Sequence, residues 1–373
     1  MDLLHSRTWA EVSLESIVGN MNAMKARLGS GTRFLGVVKA NAYGHGAVPV
    51  ARALEENGCD HLAVACLPEA VELREAGLRL PILILGRTDP AFTAELIRYD
   101  ITQSVGDPAT ARGFSEAAAA VGGTLKCHLK LDTGMGRLGF TCRAGAPAPA
   151  EAAEALKLPG LEFTGVFTHF AVSDTEGGED YTRAQLAAFT ETVAALEKAR
   201  GARFGIRHCA NSGAMLSWPE AYLDMARPGI MLYGCMPGCD YIRPAMAVRT
   251  RVQQVKDFAP GDTVSYGRTY AAPSPRRVAV VPIGYADGLH RVLSNRMEML
   301  LRGRRVRQIG RICMDMCMLD VTDVPEAAPG DIVTVIGRDG DQEITADELA
   351  GLAGTISYEL LCAVSPRVPR IYL

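Results

Sequence analysis

Long apolar runs are missing from this chain. No stretch reaches the roughly 18 uninterrupted apolar residues of a membrane span, so no membrane partner is expected. The opening Met1-Asp2-Leu3-Leu4-His5-Ser6-Arg7-Thr8-Trp9 has no basic region followed by an apolar one, and the expectation is a cytoplasmic protein without an export signal. An excess of one charge is also absent. Lys and Arg number 39 against 42 Asp and Glu, a net charge of -3, which gives nucleic acid no basic footprint. Cys-x-x-Cys does not occur among the ten cysteines. Cys235 and Cys239, and Cys313 and Cys317, are each four apart, but the histidines are scattered, so reduced and mostly buried thiols are expected and no metal site.

What is present is an ordinary globular composition, 48% hydrophobic and 22% charged over 373 residues, enough for more than one domain. Short apolar β-type runs alternate with longer amphipathic segments between residues 34 and 240. The runs fall at 35–38, 62–64, 82–85, 101–104, 126–131, 164–167, 204–209 and 229–233, with helix-type spacing between them, as at 47–57 and 184–198. Eight such units predict an α/β fold, a (β/α)8 (TIM) barrel over 12–240. A doubly wound sheet would alternate similarly, but no Gly-x-Gly-x-x-Gly follows the first run. From residue 241 the pattern changes to strands at 246–255, 277–282, 306–312, 318–321 and 332–336, with helices at 345–353, opened by a Thr345 cap, and at 357–363. A mainly β C-terminal domain over 241–373 is expected, joined by residues 1–11, with Ser13 capping the first helix.

Lys39 ends the first expected barrel strand, at the mouth where barrel active sites form. A lysine on an apolar strand end is costly unless it reaches solvent or a reactive site, and desolvation there lowers its pKa, which suits covalent attachment to an aldehyde. A plain strand-end lysine reaching solvent is the competing reading.

The segment Lys39-Ala40-Asn41-Ala42-Tyr43-Gly44-His45-Gly46 resembles the cofactor-lysine segment of alanine racemases. The resemblance returns in His128-Leu129-Lys130-Leu131-Asp132-Thr133-Gly134-Met135-Gly136-Arg137, in Thr168-His169-Phe170, in Ala210-Asn211-Ser212 and in Arg227-Pro228-Gly229-Ile230. It continues through Val264-Ser265-Tyr266-Gly267, Ile283-Gly284-Tyr285-Ala286-Asp287-Gly288 and Gly310-Arg311-Ile312-Cys313-Met314-Asp315. Eight segments in order across both domains make a strong signal.

The resemblance implies pyridoxal 5'-phosphate on Lys39, its phosphate held by Tyr43, Ser212, the amides of Gly229 and Ile230, and Tyr358. It implies Arg227 against the pyridine nitrogen, where a group that only donates keeps that nitrogen unprotonated. Racemisation needs one acid/base group per face of the α-carbon; Lys39 resembles the first and Tyr266 the second, with His169 as the link between Tyr266 and Arg227. Arg137 and the Met314 amide match the substrate-binding residues, with Asp315 beside Met314. Lys130 matches a position that can be carbamylated, which would turn a buried cation into an anion able to orient Arg137. Tyr285 and Asp287 resemble a narrow gate, with Tyr233, Arg311 and Asp174 near the channel. The implied substrate is alanine of either hand, the D-isomer serving peptidoglycan. The implied assembly is a homodimer with composite sites, Tyr266 and Met314 facing the partner's Lys39. Serine or broader-specificity racemases share this fold. So do barrel decarboxylases, which use a cysteine or acid such as Cys313 for protonation, and single-domain cofactor carriers, against which the complete C-terminal domain argues.

Overall fold

The computed structural model describes residues 7–373. The first six, read above as free of an export signal and as part of the second domain, lie outside the described residues. Two compact units divide the chain. One comprises Val18–Ala42 and Ala47–Leu232; the other comprises Tyr43–Gly46, Tyr233–Leu373 and the N-terminal residues through Ile17.

In the first unit eight strands run parallel: Arg33–Val37, His61–Val64, Ile82–Ile84, Ile101–Val105, Leu125–Asp132, Leu161–Phe167, Ile206–His208 and Met225–Ala226. Each pairs with the next through the seventh, and the eighth pairs back on the first, Met225 opposite Arg33. Backbone bonds from Asp224 N to Arg207 O (3.1 Å) and from Arg227 N to Ala210 O (2.9 Å) nearly close the ring. This is the expected (β/α)8 barrel. Ile82–Ile84 and Ile101–Val105 are buried at every position, as strands covered on both faces must be. The helices carry local stop and start signals. Asp107 caps Pro108–Ala120 by accepting from Thr110 N at 2.8 Å, and Glu179–Arg200 ends on Gly201 at φ 70°.

The eighth strand is a correction. It was expected at 229–233 but forms at Met225–Ala226, and Ile230–Tyr233 is a buried 3-10 turn. A four-residue apolar run reads equally as strand or buried helix, and Pro228 just before it has no N–H for a ladder.

The second unit is mainly β. Its large sheet orders the strands Gln254–Phe258, Arg276–Val281, Cys317–Asp320, Arg304–Ile309, Glu298–Leu301, Ile332–Asp339, Met246–Arg251, Thr8–Val12 and Arg370–Tyr372. The expected strand at 246–255 is two strands. Gln253 N leaves Ile332–Asp339 and bonds Val280 O at 2.8 Å, so the chain changes neighbours there. Thr345 caps Ala346–Ala353 by accepting from Glu348 N at 3.0 Å, and Ser13 accepts from Ser16 N at 3.0 Å at the start of Leu14–Lys25.

Candidate active site

The first barrel strand ends at Val37, two residues before the expected end, and half-buried Lys39 opens a turn. Ala40, Asn41, Ala42 and Tyr43 all have φ between 52° and 55°. A left-handed run of non-glycine residues costs about 1–2 kcal/mol per residue. Side chains hold it in place. Glu69 accepts from Ala40 N through one oxygen and from Ala65 N through the other, both at 2.7 Å, and Asn41 accepts from Ala47 N at 2.8 Å. Hydrogen bonds to a carboxylate contribute about 1.5–3 kcal/mol each, enough to offset much of the strain.

Behind Lys39 the barrel interior is cationic. Arg227 is 4% exposed, and its Nη2 donates to Thr168 O at 2.7 Å and to Cys209 O at 3.2 Å. Nη1 meets Nδ1 of His208 at 2.9 Å, and Nη2 lies 3.4 Å from Nδ1 of His169. Among the described residues no carboxylate reaches Arg227 or Lys130 within ion-pair distance. Burial presses the guanidinium down to about 10, still charged near neutrality.

Lys130 Nζ is buried, has no hydrogen-bond partner and lies 4.7 Å from the Phe167 ring centre. Burial first, then Arg227, lowers its pKa to about 7. Burial and the charges of Arg227, Lys130, Arg137 and Lys39 push His169 well below the usual imidazole range, so its ring is neutral. Arg227 can only donate, which makes His169 Nδ1 the acceptor and leaves the proton on Nε2. Exposed Arg137 belongs to the same electrostatic cluster. Ser212, buried, opens the helix Ser212–Ser217, and its hydroxyl accepts from Gly229 N at 2.9 Å; Ile230 follows. Exposed Asp174 packs under Gly213 of that helix. The barrel unit thus gathers Lys39, Lys130, Arg137, His169 and Arg227.

The other unit carries Tyr43, Tyr358, Tyr266, Tyr285, Met314 and Asp315. The Tyr43 ring lies 4.8 Å from Tyr233 and 5.9 Å from Tyr358, and burial raises the pKa of Tyr43, keeping its phenol protonated. Tyr266 is 70% exposed, on a tight turn next to the Arg311 guanidinium. Met314 is 53% and Tyr285 43% exposed, and their segments are stitched by Tyr285 N to Cys313 O and Ala286 N to Met314 O, both 3.0 Å. Asp287 is buried. It pairs with Arg7 at 2.5 Å and accepts from Gly284 N at 3.0 Å, while Arg367 reaches Asp287 at 3.5 Å and Asp315 at 2.7 Å.

Sequence reasoning gave no role to His128, His208, Glu69 or Ser265, although His128 and Ser265 lie in family-like segments. For the two histidines a signal existed, a polar ring inside an otherwise apolar barrel strand; for Ser265 it was only its place before Tyr266, and for Glu69 there was none.

Two family descriptions cover the chain: "Alanine racemase, N-terminal domain" over residues 12–237 and "Alanine racemase, C-terminal domain" over 245–372. "Alanine racemase 2" of Caldanaerobacter subterraneus subsp. tengcongensis is 46% identical over 98% of this chain and 95% of its own length. The alanine racemase of Desulfovibrio desulfuricans is 45% identical over 98% of each chain. Among solved structures, the alanine racemase of Clostridium difficile 630 superposes with a TM-score of 0.91 at 38% identity, covering 99% of this chain and 96% of its own. That of Bacillus anthracis with bound L-Ala-P gives 0.91 at 36%, covering 99% and 95%. Across both units, therefore, the chain belongs to the alanine racemase family.

Proposed function

We propose that this protein interconverts L- and D-alanine with pyridoxal 5'-phosphate bound to Lys39, supplying D-alanine for peptidoglycan in the cytoplasm. The observation that carries the reading is the buried cationic cluster behind Lys39, above all Arg227, whose partners are all neutral. Its chemistry fits an anionic ligand that offers an acceptor nitrogen. When bound, the cofactor supplies the electron sink that labilises the α-hydrogen of an amino acid.

Lys39 Nζ would hold the cofactor and would move the α-proton on one face. Tyr266 of the partner subunit moves it on the other. The neutral His169, protonated on Nε2, is suited to donate to the Tyr266 phenolate and stabilise it. Arg227 donates and has no proton to yield at working pH, which suppresses side reactions such as transamination. Ser212, the Gly229 and Ile230 amides, Tyr43 and Tyr358 are assigned to the phosphate. The protonated Tyr43 phenol is a donor, as that role needs. Arg137 and the Met314 amide bind the substrate carboxylate, with Asp315 supporting Met314, and Tyr285 narrows the gate.

Lys130 is assigned as a carbamate. An unpartnered amine lowered to about 7 is largely neutral above that pH. Its lone pair attacks carbon dioxide, one C=O π bond becomes a carboxylate, and the nitrogen releases a proton. The product anion lies among Arg227 and Arg137 and orients the latter.

Purified protein loaded with pyridoxal phosphate should abolish the optical rotation of L-alanine and of D-alanine alike, and leave lysine and arginine untouched. Retained rotation with the cofactor covalently held would overturn the reading.

A further inference from the structure

Ser265, the residue before Tyr266, has φ 65° and ψ -176°. That backbone region belongs to glycine, and a side chain there persists only where the surroundings over-determine it. Gly267 at φ 70° and Arg268 at φ 50° put three of the four residues of the turn around Tyr266 at positive φ, and Ser265 and Arg268, which carry side chains, are strained there. Strain of this kind needs a restraint, and one is visible. Ser265 Oγ donates to Arg311 O at 2.6 Å and lies 3.3 Å from Cys313 Sγ. A Cβ built on Gly267 would lie 3.1 Å from the Arg311 guanidinium, and one on Gly310 would lie 2.7 Å from Val264 and 3.1 Å from the Ser265 Cβ. The Tyr266 turn is thereby pressed on the segment that ends in Met314.

We infer that Ser265 is a positioning residue: its hydroxyl ties the turn carrying Tyr266 to the Arg311–Cys313 backbone, so that the phenol and the Met314 amide are held as one rigid piece. The inference rests on the reading of Tyr266 as a base and deepens it. A phenol on a freely moving exposed turn would spend little time at proton-transfer distance, and small misplacements cost large factors in rate. A serine where glycine would be unstrained is explained by the hydroxyl.

Glycine and alanine variants separate the two roles of this residue. Ser265→Gly removes the strain along with the hydroxyl, and Ser265→Ala removes the hydroxyl alone. Both are measured for melting temperature, for amide hydrogen exchange of 263–271 in the cofactor-free protein, and for solvent deuterium exchange at the alanine α-carbon from each enantiomer. Ser265→Gly is expected to melt no lower than the parent, yet to exchange its 263–271 amides at least tenfold faster. It should also lose about tenfold or more of α-deuterium exchange from the enantiomer that Tyr266→Phe impairs, with the other enantiomer little changed. Ser265→Ala should show the same selective loss. A glycine variant with parental exchange from both enantiomers, or parental amide protection in either variant, overturns the tether. If Tyr266→Phe itself spares both enantiomers, the base assignment fails, and the amide exchange still reports separately whether the hydroxyl restrains the turn.

Discussion

Arg227 Nη1 donates to His208 Nδ1 at 2.9 Å, so a neutral His208 carries its proton on Nε2 and passes the hydrogen bond on to Nδ1 of His128, also at 2.9 Å. Burial pushes His128 down to about 3 and His208 well below the imidazole range, so both rings are neutral at any working pH. His208 also stacks on Phe167 at 4.8 Å, with ring planes 8° apart. The guanidinium is therefore oriented by groups that do not cancel its charge. A carboxylate at His208's place would have done so.

Replacing Lys39 with alanine should remove racemisation and covalent cofactor retention together. Dialysis followed by an absorbance spectrum, beside a polarimetric assay, checks both. A variant that racemises at the parental rate would refute the assignment of Lys39.

Tyr266→Phe should leave cofactor binding intact and slow α-deuterium exchange from one enantiomer far more than from the other, by about two orders of magnitude or more for a lost general base. Equal, undiminished exchange from both enantiomers would show that the phenol carries no proton.

Lys130 should react with carbon dioxide in a pH-dependent way. Its folded pKa is depressed to about 7 from an unfolded value near 10.5, so the native protein loses this proton first as pH rises, and the free amine needed for carbamylation appears above about 7. A carbon-13 carbamate resonance, fed by labelled bicarbonate, should grow from pH 6 to 8 and be absent in Lys130→Met. The same linkage makes the buried charge a stability cost that is full below about 7 and relieved as pH rises toward the unfolded value. Lys130→Met should then be relatively more stable at pH 6 than at pH 9 in urea titrations. A resonance that is identical in the methionine variant would locate the carbamate elsewhere.

Sites shared between subunits can be tested by mixing two inactive proteins. Co-refolded Lys39→Ala and Tyr266→Phe chains should regain roughly a quarter of normal sites, because about half of randomly paired dimers are mixed and each mixed dimer holds one intact site. No recovery from a verified mixed dimer, or a monomer at working concentration, would sink the shared-site arrangement.

Gly44 has φ 84°, and a Cβ there would lie 2.2 Å from Leu361 O. Gly44→Ala should therefore cost about 3 kcal/mol or more of unfolding free energy. A urea midpoint unchanged from the parent would mean that the backbone after Tyr43 yields easily.

Much of the architecture was legible in the chain, because hydrophobic period and cap residues act over a few positions. The alternation that predicts the barrel, the Thr345 and Ser13 caps and the second, strand-rich part are all local signals of this kind. The order of the eight family-like segments points to Lys39, Arg227 and Tyr266. Where local signals were degenerate the reading slipped. The apolar residues after Pro228 fit strand or helix equally, and only the ring closure of Met225–Ala226 against Arg33 and Phe34 decided between them.

The residue types at the candidate site and the family to which they belong were determined by the sequence alone. Their ionisation and restraint were decided by the tertiary structure. Lys130 is an ordinary lysine in the chain; burial against Phe167 beside Arg227 lowers its pKa to about 7, so the free amine appears above that pH. His128 and His208 are 80 positions apart and meet only because the barrel turns both inward. Ser265 is an unremarked serine until the backbone is forced to positive φ and its hydroxyl finds Arg311 O, 46 positions away. Desolvation, charge proximity and backbone strain all depend on what packs alongside a residue, and that neighbourhood exists only once distant segments have folded together.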